Sequence, residues 1–308
     1  MHRTIEITLP PTQTEGLVRD LNALDDVIGL TVHHRASRKP PGDVVIVHAL
    51  NRGADAVLRR VAAMDSDEQV SVVTAEVASI IDPAHREAVE DDVDEAIWEE
   101  METGLRHQGR VTPNYVALMA LGGVIAAVGL VSDTGPQAVA FVAASVIAPG
   151  FEPLVKIPLG LLLRRWAVLK RGLVSVAVGY VTLIAAAALT FLLLRAVGEI
   201  TVAEFVANHE VERIAHPTLT DTHVSVCGAA AGMIMVAAYR RSVIAGPLIA
   251  LIMIPAAAMS GMALVAGRPD LMGAATLRLG IDFLLVTVVG GGIILIKQGT
   301  VHRRDPLV

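Results

Sequence analysis

LVSVAVGYVTLIAAAALTFLLL, residues 173–194, runs for 22 residues without a charged side chain. At about 1.5 Å of rise per residue such a helix is roughly 30 Å long, the thickness of a bilayer's hydrocarbon core. A helix apolar on every side belongs either in the middle of a large protein or in a membrane. Five further apolar runs, at 114–131, 137–163, 223–238, 243–266 and 274–296, leave too little polar chain to bury six such helices in water. The fold class predicted is therefore an α-helical polytopic membrane protein of about six spans. The second run is interrupted and the fourth is short.

Composition sharpens the division. Residues 1–113 hold 11 Lys/Arg and 21 Asp/Glu, a net of −10, and residues 114–308 hold 14 and 10, a net of +4. An acidic, water-soluble part thus precedes the apolar part. Phosphate recognition needs clustered Lys and Arg, so nucleic acid is excluded as a partner. The single cysteine, Cys227, lies within an apolar run and is expected to be a small buried side chain. The N-terminus MHRTIEITLP lacks the apolar core of a cleavable signal, which leaves the first span to direct insertion.

Within the soluble part, Ile5–Leu9, Val27–His33, Val44–Ala49 and Val70–Val77 are short β-rich runs separated by helix-like stretches at 12–24 and 52–64. Their order, βαββαβ, predicts a ferredoxin-like domain over residues 1–78. Residues 79–113 read as an acidic amphipathic linker helix: Pro83 stands at a helix start, and Val89, Val93, Ile97, Met101 and Leu105 recur every four residues. Its other face carries Glu90, Asp91, Asp92, Asp94, Glu95, Glu99 and Glu100, either a cation-attracting surface or a solvated face.

Cytoplasmic loops retain Lys and Arg. With the N-terminus inside, the cytoplasmic segments carry Arg164, Arg165, Lys170, Arg171, Arg240, Arg241, Lys297, Arg303 and Arg304, against Arg195, Arg213 and Arg268 on the other side. The prediction is a multi-pass protein of the cell inner (plasma) membrane with both termini cytoplasmic, the tail being residues 297–308.

Sliding the membrane part (114–296) against itself by 106 residues sets Gly122 on Gly228 and Pro149 on Pro255. The copies, about 114–196 and 220–296, each hold three spans, so the second enters from the opposite side. An inverted 3+3 repeat with proline-broken helices is a recurring transporter plan, in which freed backbone groups coordinate a solute near the midplane. Ordinary kinks are the alternative account of the two prolines.

Charges inside apolar runs are costly and are expected to pair or to line a polar path. Glu152 and Lys156 are four residues apart, as are Arg278 and Asp282, so each pair can share a helix face. With Pro149 and Pro255 they make up the candidate substrate or ion site, unless Lys156 and Arg278 simply snorkel towards opposite surfaces. His209, His216 and His223 recur every seven residues and are weak metal candidates in no recognised ligand pattern. There is no GxSxG, no phosphate loop and no dinucleotide fingerprint, and Ser145, Ser175 and Ser260 have no evident base nearby in sequence. Neither an enzyme nor a cofactor is expected.

The stretches VGLVSDTGPQAVAFVAASVIAPGFEPL (128–154) and VERIAHPTLTDTHVSVCGAAAGMIMVAA (211–238) resemble domain-of-unknown-function family number 389, the uncharacterised hydrophobic domain of bacteria and archaea; the resemblance covers roughly residues 110–296. Members typically show a small-Pro-Leu-Met-Gly-Pro stretch in the second span. Here it reads Ala148, Pro149, Gly150, Phe151, Glu152, Pro153, with both prolines kept and Glu152 in place of a small residue. A later Val-Pro-Pro becomes Ile254, Pro255, Ala256, and a polar Asn usual in the last span is replaced near Asp282. The resemblance implies a fold and a membrane location and carries no activity.

Two functions follow. In the first, a secondary transporter or channel-like protein, Glu152 and Asp282 bind a cation or carry a proton, and Lys156 and Arg278 balance charge or meet an anion. In the alternative, a sensor or scaffold, the soluble domain binds a ligand or partner and the spans only anchor it. The partners expected are the lipid bilayer, a small polar or ionic solute and a second copy of the chain, since Gly- and Ala-rich spans permit close packing.

Overall fold

A computed structural model describes residues 2–64, 70–93, 95–107, 109–239 and 245–300, with the backbone alone for residues 103, 106, 107, 239 and 245–251. The chain divides into two units, Met1–Glu100 with Lys297–Arg304 and Met101–Ile296 with Asp305–Val308.

In the first unit, alternation in TIEITL, residues 4–9, makes one strand face apolar and the other polar. The elements are β1 (His2–Leu9), α1 (Pro11–Asn22), β2 (Val27–Arg38), β3 (Pro41–Ala49), a 3-10 turn at Asn51–Gly53, α2 (Ala54–Ala62) and β4 (Ser71–Val77). They run in the βαββαβ order and build one antiparallel sheet, β2-β3-β1-β4. Ile5 pairs with Val47 and Ile7 with Val45. All four are buried beneath Leu17 and Leu21 of α1 and Val57 and Val61 of α2. Pro11 at the first helical position needs no N–H and pre-sets φ for α1. β2 and β3 extend beyond the runs read from sequence. Asp43 secures their far end: its carboxylate accepts from the Arg35 backbone N–H at 2.7 Å and from the Thr14 hydroxyl at 2.9 Å, with His34 Nδ1 at 3.0 Å.

Where the periodicity predicts one helix over 83–107, the structure has a 3-10 turn at Pro83–His85, α3 (Arg86–Glu90) and α4 (Trp98–His107). The described residues between α3 and α4 are not helical, because their side chains and carbonyls are engaged by distant parts of the chain. Asp92 turns inward, its side chain 1% exposed, and accepts from the Asn51 backbone N–H at 2.7 Å while meeting His2 Nδ1 at 2.9 Å. Arg3, also 1% exposed, donates to the Glu95 carbonyl at 3.0 Å and faces the Glu100 carboxylate at 3.3 Å. These tertiary bonds outbid the helical ladder, and they split the acidic run into buried partners (Asp92, Glu100) and exposed residues (Glu90, Asp91). Asp94 lies outside the described residues.

The second unit is helical: α5 (Pro113–Leu130), α6 (Thr134–Ile147), α7 (Glu152–Leu162), α8 (Trp166–Ala196), α9 (Val202–Ala207), α10 (His209–Ala215), α11 (Leu219–Tyr239), α12 (Ala245–Val265) and α13 (Pro269–Thr300). Thr112 accepts from the Tyr115 N–H to cap α5, and Pro113 follows as first helical residue. Among the described residues four helices are long and apolar enough to cross a membrane: Pro113–Leu130, Trp166–Ala196, Leu219–Ala238 and Pro269–Thr300. α6 and α7 pass the same test as a pair bent by 50°, and in α12 the stretch Ile252–Val265 is apolar but shorter. Val139, Val181, Leu193, Leu277, Leu284 and Val288 are among many aliphatic side chains that point outward. An outer surface of that kind suits acyl chains rather than water, consistent with a membrane protein. Cys227 belongs to it: it is exposed, contrary to expectation. Apolar character predicts burial only where the surroundings are water.

α8 packs against α5, α7 and α12. The approach is close because Gly123 of α5 faces the Leu183 carbonyl and Gly261 of α12 faces the Ile184 carbonyl, with no room for a Cβ at either point.

Candidate functional site

The chain between α6 and α7 leaves helical geometry at Ala148, whose ψ is 117°, directly before Pro149. Proline disfavours the α region for the residue before it and cannot donate into the ladder, so the break falls where the sequence places it. Gly150 follows, and the buried Tyr180 hydroxyl of α8 donates to its carbonyl at 3.5 Å. A Cβ on Gly150 would lie 3.0 Å from that hydroxyl oxygen. Tyr180 also reaches the Met253 sulfur of α12 at 3.9 Å, and its ring meets Phe283 of α13 edge-on at 4.8 Å. One tyrosine thus touches the break, the proline-bearing helix and the last helix.

Pro255, contrary to the reading of paired broken helices, does not break its helix. It lies inside α12, which continues through it unbroken from Ala245 to Val265. The carbonyl four residues earlier loses its helical donor, but packing against α8 holds the helix axis together. Of the two prolines, only Pro149 marks a helix break.

Arg278 and Asp282 do share a face of α13. Arg278 Nε and Asp282 Oδ2 are 3.0 Å apart, with side chains 7% and 3% exposed. Arg278 Nη2 donates to Ser225 Oγ of α11 at 2.9 Å, and Ser225 in turn donates to the Asp221 carbonyl at 3.1 Å. Asp282 Oδ1 is buried and has no hydrogen-bond partner among the described residues. Neither residue snorkels. Beside them is a cavity of about 180 Å³ lined by Arg278, Pro255, Asp221, Glu210 and Arg213, the last two joined at 2.8 Å.

Glu152 and Lys156 occupy a different place. Glu152 opens α7 just after the break and is half-buried, while Lys156 is 3% exposed and its Nζ donates to the Gly109 carbonyl at 3.2 Å. Lys156 lines a larger cavity, about 610 Å³, together with Arg110, Lys170 and Arg171. The six expected site residues therefore do not converge on one spot: Pro255 and Arg278 border the smaller cavity, with Asp282 against Arg278, and Lys156 borders the larger.

His209, His216 and His223 are exposed and sit on separate turns; His216 Nε2 faces Glu212 at 4.0 Å and His223 Nδ1 the Leu219 carbonyl at 2.7 Å. No group of three His, Cys, Asp or Glu among the described residues is placed to hold a metal ion. Ser145 and Ser260 donate to helix carbonyls, of Val142 and Ala256. Sequence reasoning missed Tyr180 and Ser225. A tyrosine is uncommon in this chain, which has three, and that was the one available signal for Tyr180; a serine in an apolar helix gives none.

Comparison with curated proteins gives no match, and comparison with solved structures gives none either. Residues 145–288 match the family model described as Domain of unknown function (DUF389), the same family that the stretches 128–154 and 211–238 resemble.

Proposed function

We propose that this protein is a secondary transporter or channel-like membrane protein that moves a small polar or ionic solute past Arg278 and Asp282. The observation that carries the proposal is the unmatched oxygen. A carboxylate 3% exposed, on a helix suited to a membrane, keeps Oδ1 without a hydrogen bond among the described residues, and its ion-pair partner Arg278 lines a cavity with Asp221, Glu210 and Arg213. Buried polar atoms are normally satisfied, and exceptions call for an absent partner such as an ion or water. Asp282 is the group to take a cation or proton, and Arg278 the group to steady it or to meet an anion.

Six spans in two inverted sets of three, about 114–196 and 220–296, fit this proposal. The helices α5, α6 with α7, and α8 correspond in order to α11, α12 and α13. Pro149 and Pro255, which the 106-residue shift superposes, have neighbours, Gly150 and Met253, that meet at Tyr180. Rocking of one set on the other would then open the site to either side in turn. The basic residues favour cytoplasmic termini in an inner membrane; Arg240, Arg241, Arg303 and Arg304 lie outside the described residues. A homo-oligomer remains part of the proposal, as does the absence of enzymatic chemistry.

The test is thermal stabilisation of the purified chain by a panel of ions, organic acids, amino acids and polyols, repeated on Asp282→Asn and Glu152→Gln. A solute whose stabilising effect is lost in Asp282→Asn, and whose flux into vesicles is lost with it, supports transport through this site. Stabilisation that survives both variants, without flux, favours the sensor or scaffold.

A further inference from the structure

The cavity around Lys156 has a composition unlike that of the solute site. Four of its lining residues are cations: Arg110, Lys156, Lys170 and Arg171. Among the described residues no acid lines it; Glu152, one turn before Lys156, is near enough to act on its charge but lies outside the lining. Cations gathered in one recess raise the local concentration of an anion there. The cations are also graded in depth. Lys156 lies at the base, 3% exposed, with Gly172 of α8 packed against its Cβ, while Arg110, Lys170 and Arg171 are exposed.

The rest of the lining is apolar, and it continues outward. Val111 and Val174 line the cavity, and Val174 is itself 48% exposed. Val181, two turns further along α8 on the same face, is 66% exposed and belongs to the aliphatic surface described above. Trp166, 64% exposed at the start of α8, marks the level of the headgroups, one turn before Lys170 and Arg171. The recess therefore joins cations near that level to an apolar exit that leads deeper into the bilayer. A free inorganic anion would use only the first of these, whereas a molecule with an anionic head and an acyl chain uses both. The volume, about 610 Å³, is several times that of the smaller cavity and exceeds what a lone phosphate needs.

We propose that this cavity is a binding site for an anionic amphiphile, a phosphate-bearing lipid whose head sits among Arg110, Lys156, Lys170 and Arg171 and whose chain leaves along Val174 and Val181. Basic recesses between membrane helices hold lipid headgroups by this combination of charge and apolar contact. α7 and α8 both contribute, so the occupant bridges the helix that follows the Pro149 break and the helix carrying Tyr180. The inference does not depend on what passes Asp282.

The experiment uses the full chain in an uncharged detergent, with melting followed as short-chain phosphatidylglycerol, short-chain phosphatidylcholine or glycerol phosphate is added. Phosphatidylglycerol should raise the melting temperature in a saturable way and the other two should not. In Lys170→Gln/Arg171→Gln, two exposed positions, the half-saturating concentration should rise by at least about tenfold over the parent. Arg110→Gln, on the far side of the recess, should weaken binding in the same direction. Equal stabilisation by glycerol phosphate would overturn the proposal in favour of a free-anion site. Equal stabilisation by phosphatidylcholine, or a response untouched by both variants, would overturn it in favour of a plain apolar groove.

Discussion

Arg278 and Asp282, one turn apart on α13, form an ion pair at 3.0 Å that is almost fully shielded: Arg278 donates onward to Ser225, and Asp282 Oδ1 meets no donor among the described residues. Removing one partner of such a pair leaves an uncompensated buried charge. Asp282→Ala should therefore cost about 3–5 kcal/mol, whereas Arg278→Met/Asp282→Leu should come within about 1 kcal/mol of the parent or exceed it. Melting in detergent reads both. Under the proposed function the double variant folds and yet has lost solute binding, which separates stability from transport. A double variant as unstable as Asp282→Ala would mean the pair is there for packing.

The glycines against α8 predict a sharp contrast. Gly123→Ala and Gly261→Ala each push a Cβ into a backbone carbonyl that cannot move aside, and each should lower stability by about 1–3 kcal/mol. Gly280→Ala, on α13 with open space around it, should be neutral or stabilising by roughly 0.5–1 kcal/mol, because alanine loses less entropy in a helix. Equal effects at all three positions would contradict the close approach.

In the first unit, neighbouring acids should behave differently. Asp92→Ala removes the acceptor for the Asn51 N–H and the His2 ring and should destabilise by about 1–2 kcal/mol. Asp91→Ala, at an exposed position, should change stability by less than about 0.5 kcal/mol. Denaturant midpoints of the two variants decide the matter.

Asp43 predicts an acid-sensitive hairpin. The Arg35 backbone N–H, then the His34 ring and the Thr14 hydroxyl, hold its carboxyl below the ordinary aspartate value of 3.8. A carboxyl whose folded pKa is depressed contributes stability that is present above the unfolded value and is lost as pH falls through the folded one. Hydrogen exchange at residues 34–43 should therefore be slow at neutral pH and accelerate below about pH 4, beyond the intrinsic pH trend. In Asp43→Asn the protection should be weaker at neutral pH and nearly flat with pH.

Much of this molecule was legible because its signals are local. A run such as 173–194 needs no partner to show that it is a helix for an apolar medium, since a backbone without water must satisfy itself. The βαββαβ order followed from alternation and spacing, and the α6–α7 break from Pro149, a steric effect of one residue on its neighbour. The pairing of Arg278 with Asp282 was likewise a matter of helical spacing.

Tertiary structure decided whatever depends on residues far apart in the chain. Pro255 has the same chemistry as Pro149 but sits in an unbroken helix held against α8, and the four-residue rhythm of 83–107 gave way to bonds that Asp92, Glu95 and Glu100 make with Arg3 and Asn51. Spacing brought Arg278 to Asp282, but only helix packing brought Ser225 to Arg278 and sent Lys156 to Arg110, Lys170 and Arg171 instead. Periodicity tells which residues share a face of one helix; which faces meet is set by close packing, where a single glycine or an unpaired oxygen outweighs propensity.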